Sequence, residues 1–132
     1  MSNTTTTTAN NATTTNPVSW FEVHTAQPQR AKDFYGAVFG WSFDDSMPGY
    51  SMIQLGEGAP IGGGIADSDG AYPDAAIFMV QVSDVVAALD AAAANGGSIV
   101  AEAKSMPTGL SFGYAANPDG SVFGVWSPPA DA

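Results

Sequence analysis

The residues with the clearest chemical potential lie two apart in the segment VSWFEVHT, which runs from Val18 to Thr25. Glu22 offers a carboxylate, His24 is the single histidine of the chain, and Trp20 precedes them at the same spacing. Aromatic and β-branched residues fill the segment, which predicts a β-strand. Side chains two residues apart on a strand lie on the same face. A carboxylate and an imidazole on one face could transfer protons, so Glu22 and His24 are candidate catalytic residues.

The same two residues also have structural explanations. A buried Glu is rarely left unpaired, so Glu22 could instead be neutralised by Arg30 or by a backbone amide and simply fix the fold. His24 stands at a strand end, where a lone histidine packs or caps more often than it catalyses. As metal ligands the pair is too small, because two ligands make a poor site. The sequence leaves the catalytic and structural interpretations open.

Composition limits the domain count and the partners. The first sixteen residues, MSNTTTTTANNATTTN, contain almost no apolar side chain, so we expect a disordered tail over 1–16 and one domain over 17–129. No cysteine is present, which excludes disulfides and thiolate chemistry. The chain carries 3 Lys+Arg against 13 Asp+Glu, a net charge of −10 that disfavours nucleic acid as a partner.

The sequence contains no pattern typical of a membrane span or of a secretory signal. No apolar run approaches the roughly 18 residues of a membrane span, because Gly, Asp or Gln interrupts every stretch. The opening residues lack the basic and apolar regions of a secretory signal. We therefore expect a cytoplasmic protein that does not act at a membrane.

Two successive segments predict the same order of elements, β-α-β-β-β. In the first module, about 17–68, Pro28 suits the first turn of a helix and Gly40 suits its end. The apolar stripe of this helix consists of Ala31, Phe34, Tyr35 and Val38. Short strands are predicted at Trp41–Phe43, Tyr50–Leu55 and Pro60–Ala66, separated by the turn-rich DDSMPG and GEGA.

The second module, about 74–129, repeats this order. A strand at Ala76–Val82 precedes a helix predicted from Asp84, its N-cap, to Asn95, with Gly96 as its C-terminal cap. Three further strands are predicted at Ser98–Ala103, Leu110–Ala115 and Ser121–Trp126. The residues Asn-Pro-Asp-Gly at 117–120 predict a tight turn before the last strand.

Two such modules favour an α+β fold in which mixed sheets form a shared cleft. One four-stranded sheet with one helix leaves its other face exposed, and a second copy can cover it. The alternative is a ferredoxin-like α+β sandwich, which would need fewer strands after each helix.

The stretch WFEVHTAQPQRAKDFYGAVFGW resembles the opening of the vicinal oxygen chelate superfamily, which contains the glyoxalases and bleomycin resistance proteins. The signature residues are Arg30-Ala31, Phe34-Tyr35 and Phe39-Gly40. The segments QVSDVVAALD and NPDGSVFGVW resemble the matching parts of the second module. The resemblance covers nearly all of 18–128 and implies the paired βαβββ fold.

The family's metal ligands have no counterpart here. The resemblance places the ligand positions on Trp20, Ile77 and Gly124, and the last strand of the first module, PIGGGIA, has no carboxylate before Asp67. Trp, Ile and Gly side chains cannot ligate the divalent cation that the family's metalloenzymes hold. We therefore expect no metal and no other cofactor.

If Trp20 occupies the former ligand position, its face of the strand lines the cleft. Glu22 and His24 then lie on the cleft, together with Ile77, Met79 and Gln81 of the second module and with Val122 and Trp126 on either side of Gly124. This lining is largely apolar and aromatic, which is typical of a small-molecule site. The run Gly62–Gly64 is not a phosphate loop and indicates a bulged strand or a close backbone approach.

The leading functional hypothesis is a metal-independent protein that encloses a small apolar or aromatic molecule. One alternative is an enzyme of the same fold, a lyase, isomerase or hydrolase, with Glu22 as base and His24 as its polar partner. Another is an accessory interaction domain without a ligand. We also expect a homodimer, because the second helix has Asp90 as its only charged residue between Val85 and Gly97 and is poorly suited to full exposure.

Overall fold

A computed structural model of the chain describes residues 15–129, so nearly all of the expected tail lies outside the described residues. Within these residues, eight strands and two helices follow one another in the predicted order. None of the helices described is long and apolar enough to cross a membrane. The bounds of the elements are β1 Val18–Thr25, α1 Pro28–Phe39, β2 Ser42–Met47, β3 Tyr50–Gln54, β4 Gly62–Asp67, β5 Ala75–Gln81, α2 Val85–Ala94, β6 Ser98–Ser105, β7 Ser111–Ala116 and β8 Val122–Ser127.

The strands form one continuous mixed sheet in the order β2-β3-β4-β1-β5-β8-β7-β6. The first strand of each module pairs in parallel with the last, β1 with β4 and β5 with β8. The two modules meet where β1 runs antiparallel to β5. The α+β fold of two βαβββ modules is thus confirmed, with the modification that the modules share one open sheet within one chain. The ferredoxin-like alternative is wrong, because three strands follow each helix.

The helix ends follow the predicted chemistry. Pro28 occupies the first turn of α1, and Gly40 ends it in the left-handed conformation with φ 74°. The Asp84 side chain caps α2 by accepting a hydrogen bond from the Ala87 backbone N–H over 3.0 Å. The C-cap of α2 is Asn95, and Gly96 follows it with φ +97°, a conformation that glycine adopts without strain.

The strand β2 is longer than predicted and continues to Met47. The residues expected to form a turn, DDSM, instead pair with β3, with Asp44 opposite Met52 and Met47 opposite Tyr50 across an irregularity in the register. Asp45 is held at this point by Lys32 of α1 and by Ser51 of β3, which explains why acidic residues continue the strand. The turn is thereby reduced to Pro48 and Gly49.

The two helices differ in how they meet the sheet. Val85 and Leu89 of α2 are buried in a cluster with Ala115 and Val125, so the sheet of the same chain covers the apolar side of α2. We call the sheet surface under α2 the helix face. By contrast, α1 buries no residue completely, and Phe34 and Val38 of its stripe are 59% and 52% exposed. We expected exposed apolar surface on α2, but it is found mainly on α1.

Candidate functional site

The opposite surface of the sheet, which we call the site face, carries the predicted residues of β1. Trp20 lies opposite Met79 of β5, and Glu22 lies opposite Ile77. Directly opposed residues project to the same side of a sheet, so the two modules jointly line this surface. Ile77, Met79 and Tyr114 form its buried cluster, and Trp20, Val100, Ala101, Phe112, Val122 and Trp126 pack around them.

The predicted ligand-binding residues are thus brought together. Trp20, Ile77, Met79, Val122 and Trp126 belong to this cluster or pack against it, and Gln81 lies opposite Trp126 in the β5–β8 register. Four residues of this surface were not predicted from the sequence: Val100 and Ala101 of β6, and Phe112 and Tyr114 of β7. The two aromatic residues alternate along β7, and Tyr114 lies opposite Gly124, a position without a side chain.

Glu22 is buried, with 6% of its surface exposed, and its carboxylate is the centre of a hydrogen-bond network. The Tyr114 hydroxyl donates to Oε1 over 2.6 Å, and the Tyr50 hydroxyl donates to Oε2 over 3.0 Å. His24 Nε2 lies 2.9 Å from Oε1. Among residues 15–129 neither Arg30, which is exposed on α1, nor a backbone amide bonds to this carboxylate, so the expected partners are wrong. Two tyrosines and a histidine satisfy this buried carboxylate instead.

His24 is also buried, at 4% exposure, and its ring packs against two tyrosine rings that also contact each other. The ring centroid of Tyr114 is 5.2 Å away in an edge-on arrangement, and that of Tyr72 is 5.6 Å away. Because an ionised carboxylate can only accept hydrogen bonds, the network assigns a proton to Nε2 of His24. The predicted pair is therefore present, but it lies inside an aromatic enclosure.

The two tyrosine hydroxyls remain protonated donors over a wide pH range. Burial raises the pKa of Tyr114, and the negative charge of Glu22 raises it further. Burial and then the same charge also raise the pKa of Tyr50. Tyr50 in turn accepts a hydrogen bond from Trp20 Nε1 over 2.8 Å. A chain of hydrogen bonds thus connects the indole of Trp20 to the buried carboxylate.

The glycines of β4 make room for these aromatic side chains. A methyl group added at Gly62 would collide with the Trp20 ring, and one added at Gly64 would collide with the Tyr50 ring and hydroxyl. At Gly63, on the helix face, it would collide with Phe21. The register of β4 with both neighbours is continuous, so the glycine run marks a close approach and not a bulge. This run was the sequence signal that an aromatic residue of β3 would lie here.

The site face does not fit the family's metal. Gly124, at one implied ligand position, is filled from both sides by Met79 and Tyr114. Across residues 15–129, no three His, Asp or Glu side chains come together in a way that could hold a cation. Glu22 and His24 already bind each other, and the carboxylate has two further donors. Glu22 and His24, the candidate metal ligands, therefore belong to a closed hydrogen-bond network.

A second polar group lies elsewhere, on α1. Lys32 Nζ is 3.0 Å from Asp45 Oδ1, and open depressions of about 370 and 230 Å³ flank this ion pair. The hydrogen bond from Ser51, followed by Lys32, lowers the pKa of Asp45. Because this group connects α1 to β2 and β3 and contains none of the predicted site residues, we interpret it as structural.

Comparison with known proteins agrees with this architecture. Residues 18–125 match the family model described as Glyoxalase/Bleomycin resistance protein/Dioxygenase superfamily. The chain is 30% identical over 118 residues to proteins named "Putative glyoxylase CFP32" from Mycobacterium bovis and Mycobacterium tuberculosis. The match covers 82% of this chain but 44% of those relatives, so the chain spans under half of their length.

Solved structures share the fold at low sequence identity. A glyoxalase/bleomycin resistance protein/dioxygenase superfamily member from Vibrio splendidus 12B01 is 16% identical with a TM-score of 0.55, covering 82% of this chain and 95% of that one. A methylmalonyl-CoA epimerase in complex with methylmalonyl-CoA and NH4+ is 11% identical with a TM-score of 0.57, covering 89% and 97%. At these identities the likeness shows the fold alone. The family match over most of the chain shows more: this protein belongs to the glyoxalase, bleomycin resistance protein and dioxygenase superfamily.

Proposed function

We propose that the site face binds a small apolar or aromatic molecule, without a metal and without breaking a bond in it. The observation that carries this proposal is partial exposure: Trp20, Phe112 and Trp126 remain only half-buried around the buried apolar cluster. Aromatic rings offer large stacking surfaces, and small-molecule sites combine such rings with a few polar groups.

The polar network beneath the rings supports binding over chemistry. Of the two Glu22 oxygens, Oε1 already receives Tyr114 and His24, and Oε2 receives Tyr50. A base needs a free lone pair directed at its substrate, and this carboxylate has most of its acceptor positions filled. The network then fixes the two tyrosines and, through Tyr50, the indole of Trp20. Such rigidity lowers the cost of ordering a binding surface.

The three tryptophans provide a test with an internal control. Trp20 and Trp126 belong to the site face, whereas Trp41 packs with Phe21 and Tyr35 near α1. We expect naphthalene-2-methanol, titrated into the labelled protein, to shift the indole N–H resonances of Trp20 and Trp126 and to leave that of Trp41 in place. Trp→Phe variants would assign the resonances. If no indole resonance moves at millimolar probe, the site face binds no such molecule, and an accessory interaction domain becomes the better hypothesis.

A second candidate function is catalysis, which one observation favours. Glu22 and His24 are both buried and only 2.9 Å apart, an arrangement found in acid/base pairs. In such an enzyme Glu22 would use the remaining lone pair of Oε2, with His24 as its polar partner. The fold also occurs in a methylmalonyl-CoA epimerase, although that likeness extends to the fold alone.

Hydrogen–deuterium exchange would separate the two candidates. A base on the site face should exchange the hydrogen on the carbon next to a carbonyl for deuterium from D2O. This exchange can be followed by NMR for a panel of small ketones and 2-oxoaldehydes. Catalysis predicts exchange that disappears in Glu22→Gln and persists in the exposed-loop variant Glu57→Gln. Exchange at the uncatalysed rate for the whole panel is the outcome expected of a binding protein.

A further inference from the structure

The register across the second module places four side chains of different chemistry in one row. Lys104 of β6 lies opposite Phe112 of β7, Phe112 lies opposite Trp126 of β8, and Trp126 lies opposite Gln81 of β5. Phe112 and Trp126 both pack against the buried cluster of the site face. Since directly opposed residues share a face, Lys104 and Gln81 lie on the site face as well.

Lys104 differs from the other cations of the chain in where it lies. The three Lys and Arg residues are Arg30, Lys32 and Lys104. Arg30 and Lys32 lie on α1, and Lys32 pairs with Asp45. Lys104 is exposed, and among the described residues no ion pair involves it, although Glu102 lies two residues earlier in an irregular part of β6. The described part of the site face therefore has one Lys or Arg side chain, at the end of an aromatic row.

From this row we infer that the preferred ligand is a planar aromatic acid. Its rings would lie over Phe112 and Trp126, and its anionic group would face the ammonium of Lys104. The inference rests on the proposed function and adds the chemical class and the orientation of the ligand. Trp126 is suited to this role because its Nε1 donates to Ser19 Oγ over 3.1 Å, which fixes the plane of the indole.

The dimensions of the row agree with such a ligand. Neighbouring strands lie about 4.8 Å apart, so the two steps from Lys104 through Phe112 to Trp126 span about 10 Å. A two-ring aromatic acid has about that length. The net charge of −10 would otherwise repel an anion, so a preference for an acid over its neutral analogue requires a local cation.

A lysine on an edge strand also has a simpler explanation, because charged residues on edge strands prevent sheet-to-sheet association. Ligand charge distinguishes this explanation from the inference. An edge-protecting lysine gives no preference for an acid, and the negative chain would then bind the acid more weakly than the alcohol. The ligand-binding lysine gives the opposite order.

Equilibrium dialysis at low salt with 2-naphthoate and naphthalene-2-methanol tests the inference. We expect the wild-type chain to bind 2-naphthoate about fivefold more tightly than the alcohol, an effect in the range of a solvent-exposed ion pair. Lys104→Gln should remove this preference and leave the alcohol's affinity unchanged. Arg30→Gln, which changes the net charge equally but lies on α1, should keep it. Trp126→Leu should weaken both probes.

Each contrary result has a distinct meaning. If the wild-type chain binds the alcohol as well as the acid or better, the acid preference is wrong, while the proposed binding function stands. If Lys104→Gln and Arg30→Gln reduce the preference equally, long-range charge causes it and the row does not. If neither probe binds, the proposed function fails and this inference fails with it.

Discussion

The Tyr114 hydroxyl and Glu22 Oε1, 92 positions apart in the sequence, lie 2.6 Å from each other. Glu22 belongs to the first strand of module 1 and Tyr114 to the seventh strand of the sheet, in module 2. The hydrogen bond therefore joins the two modules across the site face. Because a buried carboxylate is costly unless its acceptors are satisfied, this contact links the stability of the fold to the geometry of the site.

Removing the Tyr114 hydroxyl should destabilise the protein measurably. Tyr114→Phe keeps the ring but leaves Glu22 with one donor fewer, and we expect the free energy of unfolding to fall by about 1–3 kcal/mol. Urea denaturation measures this difference. Tyr35→Phe is the matched control, because the Tyr35 hydroxyl makes no hydrogen bond with residues 15–129. This substitution should change the free energy of unfolding by no more than about 0.5 kcal/mol. Equal effects of the two substitutions would show that the bond to Glu22 adds nothing.

Much of this fold was predictable because its signals are local. Strand alternation placed Trp20, Glu22 and His24 on one face, and Pro28, Gly40 and Asp84 marked helix ends. The partners of Glu22 were not predictable in the same way. Tyr50 and Tyr114 reach it only through strand order and register, which depend on long-range pairing across both modules. Arg30, the cation close in sequence, is not a partner because it is exposed on α1, whose Tyr35 packs through Trp41 onto Phe21 of the helix face.

Alkaline pH should reveal the two buried tyrosines. Both have folded-state pKa values raised above the ordinary value of 10.0, so the folded chain keeps protons that the unfolded chain loses above about pH 10. Stability is therefore fully present below pH 10 and falls as pH rises beyond it, by about 1.4 kcal/mol per pH unit for each tyrosine. Urea midpoints between pH 8 and 11.5 measure this slope, which Tyr114→Phe should roughly halve. A slope unchanged by that substitution would contradict the assignment.

The close approach of Gly64 to Tyr50 predicts strong coupling between these positions. Gly64→Ala should cost about 1–3 kcal/mol, because the added methyl group would overlap the Tyr50 ring and force it away from Glu22. In a Tyr50→Ala background the same substitution should cost much less, since the obstacle is gone. A double-mutant cycle on unfolding free energies measures the difference. Additive effects would mean that the sheet shifts without disturbing the ring.

The protein should purify without a stoichiometric metal. The resemblance places the family's ligand positions on Trp20, Ile77 and Gly124, and Glu22 is already satisfied by tyrosine and histidine donors. We expect elemental analysis after dialysis, without chelator, to find well under one Zn, Ni, Mn or Fe per chain. About one metal per chain that is lost in a Glu22→Gln, His24→Gln double variant would overturn this prediction.

Assembly should depend on α1 more than on α2. The apolar residues Val85 and Leu89 of α2 are covered by their own sheet, whereas Phe34 and Val38 of α1 remain more than half exposed. Exposed apolar side chains of this size on a helix mark an association surface, and closed two-fold dimers are the commonest soluble assembly. We expect light scattering to give a mass near twice 13.4 kDa.

The double substitution Phe34→Ser, Val38→Ser should shift the mass toward one chain, while Val86→Ser, at a similarly exposed position of α2, should not. A mass of one chain for the wild type across the micromolar range would show that the α1 surface has another role. Dissociation by Val86→Ser alone would instead place the interface on α2.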